Sequence, residues 1–350
     1  MLMYKDSKIY IAGHRGLVGS AILQELQSQG YTNLIYKTHE ELDLINQKAV
    51  QNFFAREKPE YVILSAARVG GIFDNINHKA DFIYQNLMIE CNVIHNAYLH
   101  GVKKLLFIAS TAIYPKYREI IRESDLMGGK LDYSNESYAI AKIAGIKMCE
   151  AYNIQYNTNF ISLVPTNLYG ENDRFDLETA HVVPALIRKF YLAKLLMENR
   201  YKELLSDLKI ENIADAKDYL SRFGVTECDI TIWGSGNAER EFLYSGDLAE
   251  ASIFIMENID FKDLRGNESE VVNTHLNIGP NSSISIRRLS DIVKEIVGYK
   301  GNIVFDKTKP EGVLKRFTDC SKIHSLGWKH RVDLASGIKK IYNFYVNNKM

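Results

Sequence analysis

Over its first 165 residues the chain alternates short, almost wholly apolar runs with longer stretches whose apolar positions recur every three or four residues. The runs 8–12, 33–36, 61–65, 104–109 and 159–164 predict buried strands. Between them the stretches 17–29, 47–57, 80–100 and 138–156 predict helices. Strand–helix alternation of this kind builds βαβ units, and so a parallel sheet covered on both faces.

Beyond Pro165 the pattern changes. Residues 166–182 are polar and rich in turn formers, and Pro184 then opens a helical stretch predicted to run unbroken from Ala185 to about Leu208. A second helix over 213–223 ends at Gly224, placed to cap it. A strand over 230–233 runs into the turn Gly234-Ser-Gly236, a helix is predicted over 285–297, and a strand over 302–305 precedes the turn Lys309-Pro-Glu-Gly312. This predicts a dinucleotide-type domain over residues 1–165, with 230–262 returning to it. A smaller C-terminal α/β lobe is expected over 166–229 and 263–350.

Composition narrows the class. The chain has 350 residues, 46% hydrophobic and 25% charged, which is ordinary for a globular core. Its 43 basic and 43 acidic side chains cancel, so the clustered excess of positive charge that nucleic-acid binding needs is missing. No apolar run approaches the ~20 residues that span a bilayer. The start, half polar over residues 1–10, does not read as a secretory leader. Cys91, Cys149, Cys228 and Cys320 show no CxxC spacing, which predicts reduced thiols, no metal site and a cytoplasmic setting.

The first strand runs into Gly13-His-Arg-Gly16-Leu-Val-Gly19 and then a helix. In such a loop Gly13 permits the tight turn, Gly16 lets backbone approach a pyrophosphate, and Gly19 lets helix pack on strand. The N–H groups around Leu17 and Val18, at the positive end of the helix dipole, would face the phosphates. The GxxGxxG spacing resembles the short-chain dehydrogenase/reductase superfamily, whose sheet is a Rossmann-type doubly wound one. The second strand ends Tyr36-Lys37-Thr38-His39, with no carboxylate until Glu40 to bind ribose hydroxyls. With Arg15, suited to bidentate phosphate contact, Lys37 and His39 point to NADP(H). The alternative is that both are solvated surface residues. Asp43 and Leu44 stand where the superfamily contacts adenine.

Tyr138-Ala-Ile-Ala-Lys142 puts a phenol and an ammonium on one helix face. Ser110, at the end of the 104–109 strand, would reach the carboxyl edge of the sheet, where ligands of open α/β sheets bind. Reduction of a carbonyl needs a proton for the nascent alkoxide. A phenol of ordinary pKa near 10 gives it up poorly at neutral pH, and a neighbouring ammonium is expected to lower that pKa. Ser110 can donate to the carbonyl oxygen as charge develops.

In chain order, the segments IYIAGHRGLVGSAI, ADFIYQNLMIE, LLFIASTAIYP, ESYAIAKIAGIKMCEAYN, VPTNLYGENDRFD, HVVPALIRKF, WGSGNAEREFLYSGDLA, VFDKTKPEG and DCSKIHSLGW resemble the GDP-L-fucose synthase family over nearly the whole chain. These are extended short-chain reductases acting on GDP-4-keto-6-deoxymannose. The resemblance implies a homodimer, NADP(H) as cofactor, and a C-terminal lobe holding a GDP-4-keto sugar. Carried over by position, Ser110, Tyr138 and Lys142 match the reductase residues, and His181 the histidine used as an acid in epimerisation. Ala66, Ala67, Ile108, Ala109, Pro165, Thr166, Asn167, Leu168 and His181 fall at dinucleotide-binding positions. Thr111, Ala112, Asn167, Lys189, Trp233, Arg240 and Lys309 fall at substrate positions.

Two departures set this chain apart from that pattern. The family reads Ser-Ser/Thr-Cys-Ile-Tyr-Pro where this chain reads Ser110-Thr111-Ala112-Ile113-Tyr114-Pro115. The missing thiol is the family's base for the protons at C3 and C5, and a methyl group accepts no proton. The second departure is about two dozen extra residues between Phe190 and Ile230. The expectation is an NADPH-dependent C4-reductase of a GDP-4-keto sugar, hexose or heptose, 6-deoxy or not, without epimerase activity. The alternatives are a bifunctional 3,5-epimerase/4-reductase, with His181 or a water in place of the thiol, and a non-enzymatic NADP-binding regulator. A 4,6-dehydratase would need a Thr-Asp-Glu run where Thr111-Ala112-Ile113 stands.

Overall fold

The structure, a computed structural model, describes residues 3–266, 270–309 and 314–348. The chain divides into two compact units: residues 1–168, 242–281 and 317–331 form the first, and 169–241, 282–316 and 332–350 the second.

Six strands of the first unit, all parallel, lie in the order Leu276–Ile278, Phe160–Pro165, Lys104–Ile108, Tyr61–Leu64, Ile9–Ala12, Leu34–Ile35. The chain passes from the first strand to the second on one side and to the third on the other. That reversal makes the edge beside Ala12 a topological switch point, where such sheets bind ligands. Alternate side chains feed two cores. Ile9, Ile11, Leu106 and Leu163 pack with Ile22 and Leu26 of the helix Leu17–Ser28 and Leu248 and Ile255 of the helix Ser245–Asn258. Tyr10, Val62, Leu105 and Phe107 pack with Phe53, Phe54, Val93, Ile94 and Ile146 from the helices Gln47–Glu57, Lys79–Leu99 and Glu136–Tyr156. The predicted doubly wound sheet is therefore present.

In the second unit the strands Asp229–Trp233 and Asn302–Asp306 pair in parallel. Beside them stand the helices Val182–Met197, Ile286–Val297 and Leu334–Asn347. The helix Ile213–Arg222 ends at Gly224, which takes the left-handed conformation the sequence predicted.

Two expectations are corrected. The single helix expected from Ala185 to Leu208 is two, Val182–Met197 and Tyr201–Leu208. Arg200 N donates to Leu195 O and Asn199 N to Leu196 O, with Asn199 at φ 55°. This is a Schellman stop built on asparagine in place of glycine. The division of the chain also differs: 230–241 stays in the second unit because the strand Asp229–Trp233 pairs with Asn302–Asp306. Conversely 263–281 and 317–331 belong to the first unit, the former because Leu276–Ile278 is the edge strand beside Phe160–Pro165.

Candidate active site

The glycine loop follows Ala12 at the switch point. Gly13 sits at φ 91°, and a Cβ there would lie 2.7 Å from Ala66 N. A Cβ at Gly19 would lie 2.2 Å from Gly13 O. The loop is thus folded against itself and against the loop carrying Ala66 and Ala67. Gly16 differs: a Cβ there would meet only Gly13 O, at 3.5 Å, and both Arg15 and Gly16 are exposed. Gly16 also starts the helix Leu17–Ser28 without a side-chain cap. The first-turn N–H groups at Leu17 and Val18 accordingly lack a side-chain partner from it, and the loop fits a dinucleotide pyrophosphate.

After the second strand, Lys37 pairs with Glu41 at 3.5 Å and His39 stands 3.7 Å from Asp43. Glu41 Oε2 also accepts from Thr38 N at 2.8 Å. A carboxylate therefore does stand at this strand end, used by the turn's own backbone. Asp43 accepts from Ile45 N, and Leu44 is buried, its carbonyl accepting from Asn92.

The strand Lys104–Ile108 ends in Ala109 and Ser110, and Ser110 caps the short turn Thr111–Ile113 by accepting from Ala112 N at 3.3 Å. Its hydroxyl also acts on the Tyr138 phenol, favouring the ionised form. Tyr138 and Lys142 project from the first turns of the helix Glu136–Tyr156, one turn apart, with the Lys142 ammonium 5.8 Å from the centre of the Tyr138 ring. Lys142 Nζ donates to Ile108 O at 3.2 Å and stands 3.1 Å from Glu90 Oε1. The strand, the serine and the tyrosine–lysine pair expected from sequence do come together.

The expected lowering of the Tyr138 pKa is corrected. Lys142 and Ser110 act in that direction, but burial is the larger effect and holds the phenol above its ordinary value. At neutral pH the site therefore keeps Tyr138 protonated, the form a proton donor needs.

Pro165 ends its strand, Thr166 is buried with its N–H donating to Ile278 O, and Asn167 is exposed beside Leu168. Sequence reasoning passed over Asn86. It is fully buried, and it holds the loop after the third strand from both sides, accepting from Arg68 N at 2.9 Å and donating to Arg68 O at 3.0 Å.

The second unit carries the remaining residues. His181 is the N-cap of the helix Val182–Met197, which also bears Lys189. His181 Nδ1 lies 3.4 Å from Asp173 Oδ1, and this contact raises the imidazole pKa above its usual value. Burial lowers the Lys189 pKa to about 8. Trp233 closes its strand and is 55% exposed, with Lys309 Nζ 5.7 Å from its ring centre. The register that sets Asp306 opposite Trp233 brings these two together. Arg240 lies on a separate two-stranded ribbon, opposite Ile284. Pro310, Glu311 and Gly312 of the expected turn lie outside the described residues. Among the described residues no group of His, Cys, Asp and Glu could hold a metal ion, and no helix is long and apolar enough to cross a membrane.

The sequence pattern of the NAD dependent epimerase/dehydratase family matches residues 9–279. GDP-L-fucose synthase 1 of Arabidopsis thaliana is 47% identical over 98% of this chain and 94% of its own length. Two solved structures from Campylobacter jejuni are each 50% identical. One is a GDP-6-OMe-4-keto-L-xylo-heptose reductase, with TM-score 0.95 over 99% of this chain and 100% of that one. The other is a GDP-mannoheptose C4 reductase with NADP bound, with TM-score 0.89 over 98% and 99%. The chain therefore belongs to the NAD dependent epimerase/dehydratase family, in its GDP-L-fucose synthase branch.

Proposed function

We propose that this protein is an NADPH-dependent C4-reductase of a GDP-4-keto sugar, of the heptose or hexose class, and that it does not epimerise C3 or C5. The observation that carries the reading is the Ser110–Tyr138–Lys142 group at the sheet edge, with the methyl of Ala112 two residues past the serine. Relatives described as reductases of GDP-4-keto and GDP-mannoheptose sugars support the substrate class.

The exposed, uncapped turn at Gly16, with Arg15 beside it, would hold the pyrophosphate, and Lys37 and His39 the 2′-phosphate. When bound, the reduced nicotinamide supplies hydride to C4. Tyr138 gives its phenolic proton to the C4 oxygen, and Ser110 donates a hydrogen bond to that oxygen as negative charge builds. Lys142 stabilises the phenolate left behind. On the nucleotide side, Trp233 offers an exposed face for a base to stack on, and Lys189, Arg240 and Lys309 offer cations to the diphosphate. His181, charged more readily because of Asp173, is retained as a sugar or nicotinamide contact. Epimerisation would further need a base at C3 and C5, and Ala112 supplies none.

The test is NADPH oxidation with GDP-4-keto sugars. Wild type is expected to turn over, and Tyr138→Phe to fall by about 100-fold or more with NADPH binding intact. A Tyr138→Phe enzyme of near wild-type turnover would remove the assigned proton donor. NADPH binding with no turnover on any keto sugar would favour the regulator reading.

A further inference from the structure

The helix Lys79–Leu99 contributes no residue to the reductase group described above, yet it sends one carboxylate into it. Glu90 is 1% exposed, and its Oε1 lies 3.1 Å from Lys142 Nζ, with both side chains 2% exposed. Buried charges are rare unless paired, so the two groups must be considered together. The facing helix makes room for this carboxylate. A Cβ at Gly145 would fall 2.8 Å from Glu90 Oε2 and 2.5 Å from the Phe107 ring. No described hydrogen-bond donor reaches Glu90 Oε2. The Lys142 ammonium is thus held from two sides, by the Ile108 carbonyl at the end of the catalytic strand and by Glu90.

We propose that Glu90 is a positioning residue of the reductase: it fixes the Lys142 ammonium beneath Tyr138 and moderates how strongly that charge acts on the phenol. This rests on the C4-reductase reading for its catalytic consequence. The groups facing Glu90 are few. Lys142, Tyr138 and Cys149 stand on the helix Glu136–Tyr156, and Cys91 on its own helix. The strand Lys104–Ile108 presents only the Phe107 ring, over which Lys142 sits at 4.7 Å, and the Ile108 carbonyl. Burial pushes the Glu90 carboxyl up to about 7 against the pull of Lys142, so its charge is poised to change near neutrality. An ionised Glu90 raises the Tyr138 pKa, opposing Lys142. This delays deprotonation of the Tyr138 phenol as pH rises.

The test compares wild type, Glu90→Gln and Glu90→Asp as NADP-saturated proteins. Without substrate, NMR of isotope-labelled tyrosine and lysine side chains follows the first proton to leave the Tyr138–Lys142 pair. In E90Q that proton is expected to leave about one pH unit lower. With a GDP-4-keto sugar, the alkaline limb of kcat/KM for reduction should move down with it, while NADPH affinity stays within about twofold. E90D keeps the charge but withdraws it by a methylene, so it should lower kcat and leave the limb in place. An unmoved first deprotonation in a folded E90Q overturns the proposal, as does an E90Q whose kcat falls equally at every pH. A fully active E90D overturns it even where E90Q does not fold. Wild type that reduces no keto sugar contradicts the C4-reductase reading instead, and the substrate-free titration still decides the role of Glu90.

Discussion

Gly16 and Gly19 occupy one loop and answer to different constraints. A methyl at 19 would lie 2.2 Å from a backbone oxygen that has nowhere to move, since Gly13 is itself pressed on Ala66. Gly19→Ala should cost about 1–3 kcal/mol of stability through overpacking, seen as a lowered Tm. Gly16, at φ −77° and ψ 170°, already has a backbone that alanine adopts, and its Cβ would meet protein only at 3.5 Å. Gly16→Ala should keep Tm and weaken NADPH binding by about tenfold or more, because the methyl stands where phosphate must approach. Equal loss of stability in both variants would contradict this division. These glycines were legible in the sequence because their constraint is local. Glu90, Asn86 and Asp173 were not: an acid or amide on a predicted helix or loop looks solvated until the partner element is in place. Only packing of the Lys79–Leu99 and Glu136–Tyr156 helices turns Glu90 inward.

At the scale of elements, the stretch beyond Phe190 is tied down by one carboxylate. Asp207, on the helix Tyr201–Leu208, accepts from Arg188 at 2.9 Å and from the Tyr345 phenol at 2.7 Å. Arg188 also donates to Phe175 O at 3.2 Å, and the Phe175 and Tyr345 rings stack at 4.7 Å. Three helices and the loop that leads to His181 thus share one polar centre, with Asp207 3% exposed. Asp207→Ala leaves a mostly buried guanidinium without its partner and should destabilise the protein by about 3–5 kcal/mol in denaturant unfolding. An unchanged unfolding midpoint would show that the stretch is not anchored there. The sequence announced both flanking helices by their apolar spacing and hid the break between them. Asn199 supplies the left-handed residue that glycine usually supplies, and no Gly or Pro marks the stop.

For the molecule as a whole, five of the six strands of the first unit's sheet followed from hydrophobic runs alone, since each is nearly all apolar, while their order in the sheet did not. The return of 263–281 and 317–331 did not, because pairing of Leu276–Ile278 with Phe160–Pro165 joins residues more than 100 positions apart. The same unit leaves Tyr84, Leu99, Ile140, Ile154 and Tyr156 exposed on the helices Lys79–Leu99 and Glu136–Tyr156. Tyr84 and Cys91 on one helix, and Ile140, Lys147 and Ile154 on the other, follow a seven-residue spacing that places each set on one stripe. We propose that these stripes meet their copies across a two-fold axis, giving a homodimer. Light scattering should give twice the chain mass, and Ile140→Glu with Ile154→Glu should halve it. A wild-type monomer would remove the proposal.

The most direct test of the account follows the fate of solvent deuterium. The protein is incubated with NADPH and a GDP-4-keto sugar in D2O, and the product is read by NMR. The product is expected to be reduced at C4 with no deuterium at C3 or C5, because Ala112 provides no base. Deuterium at either carbon would contradict it and make His181 the first residue to replace.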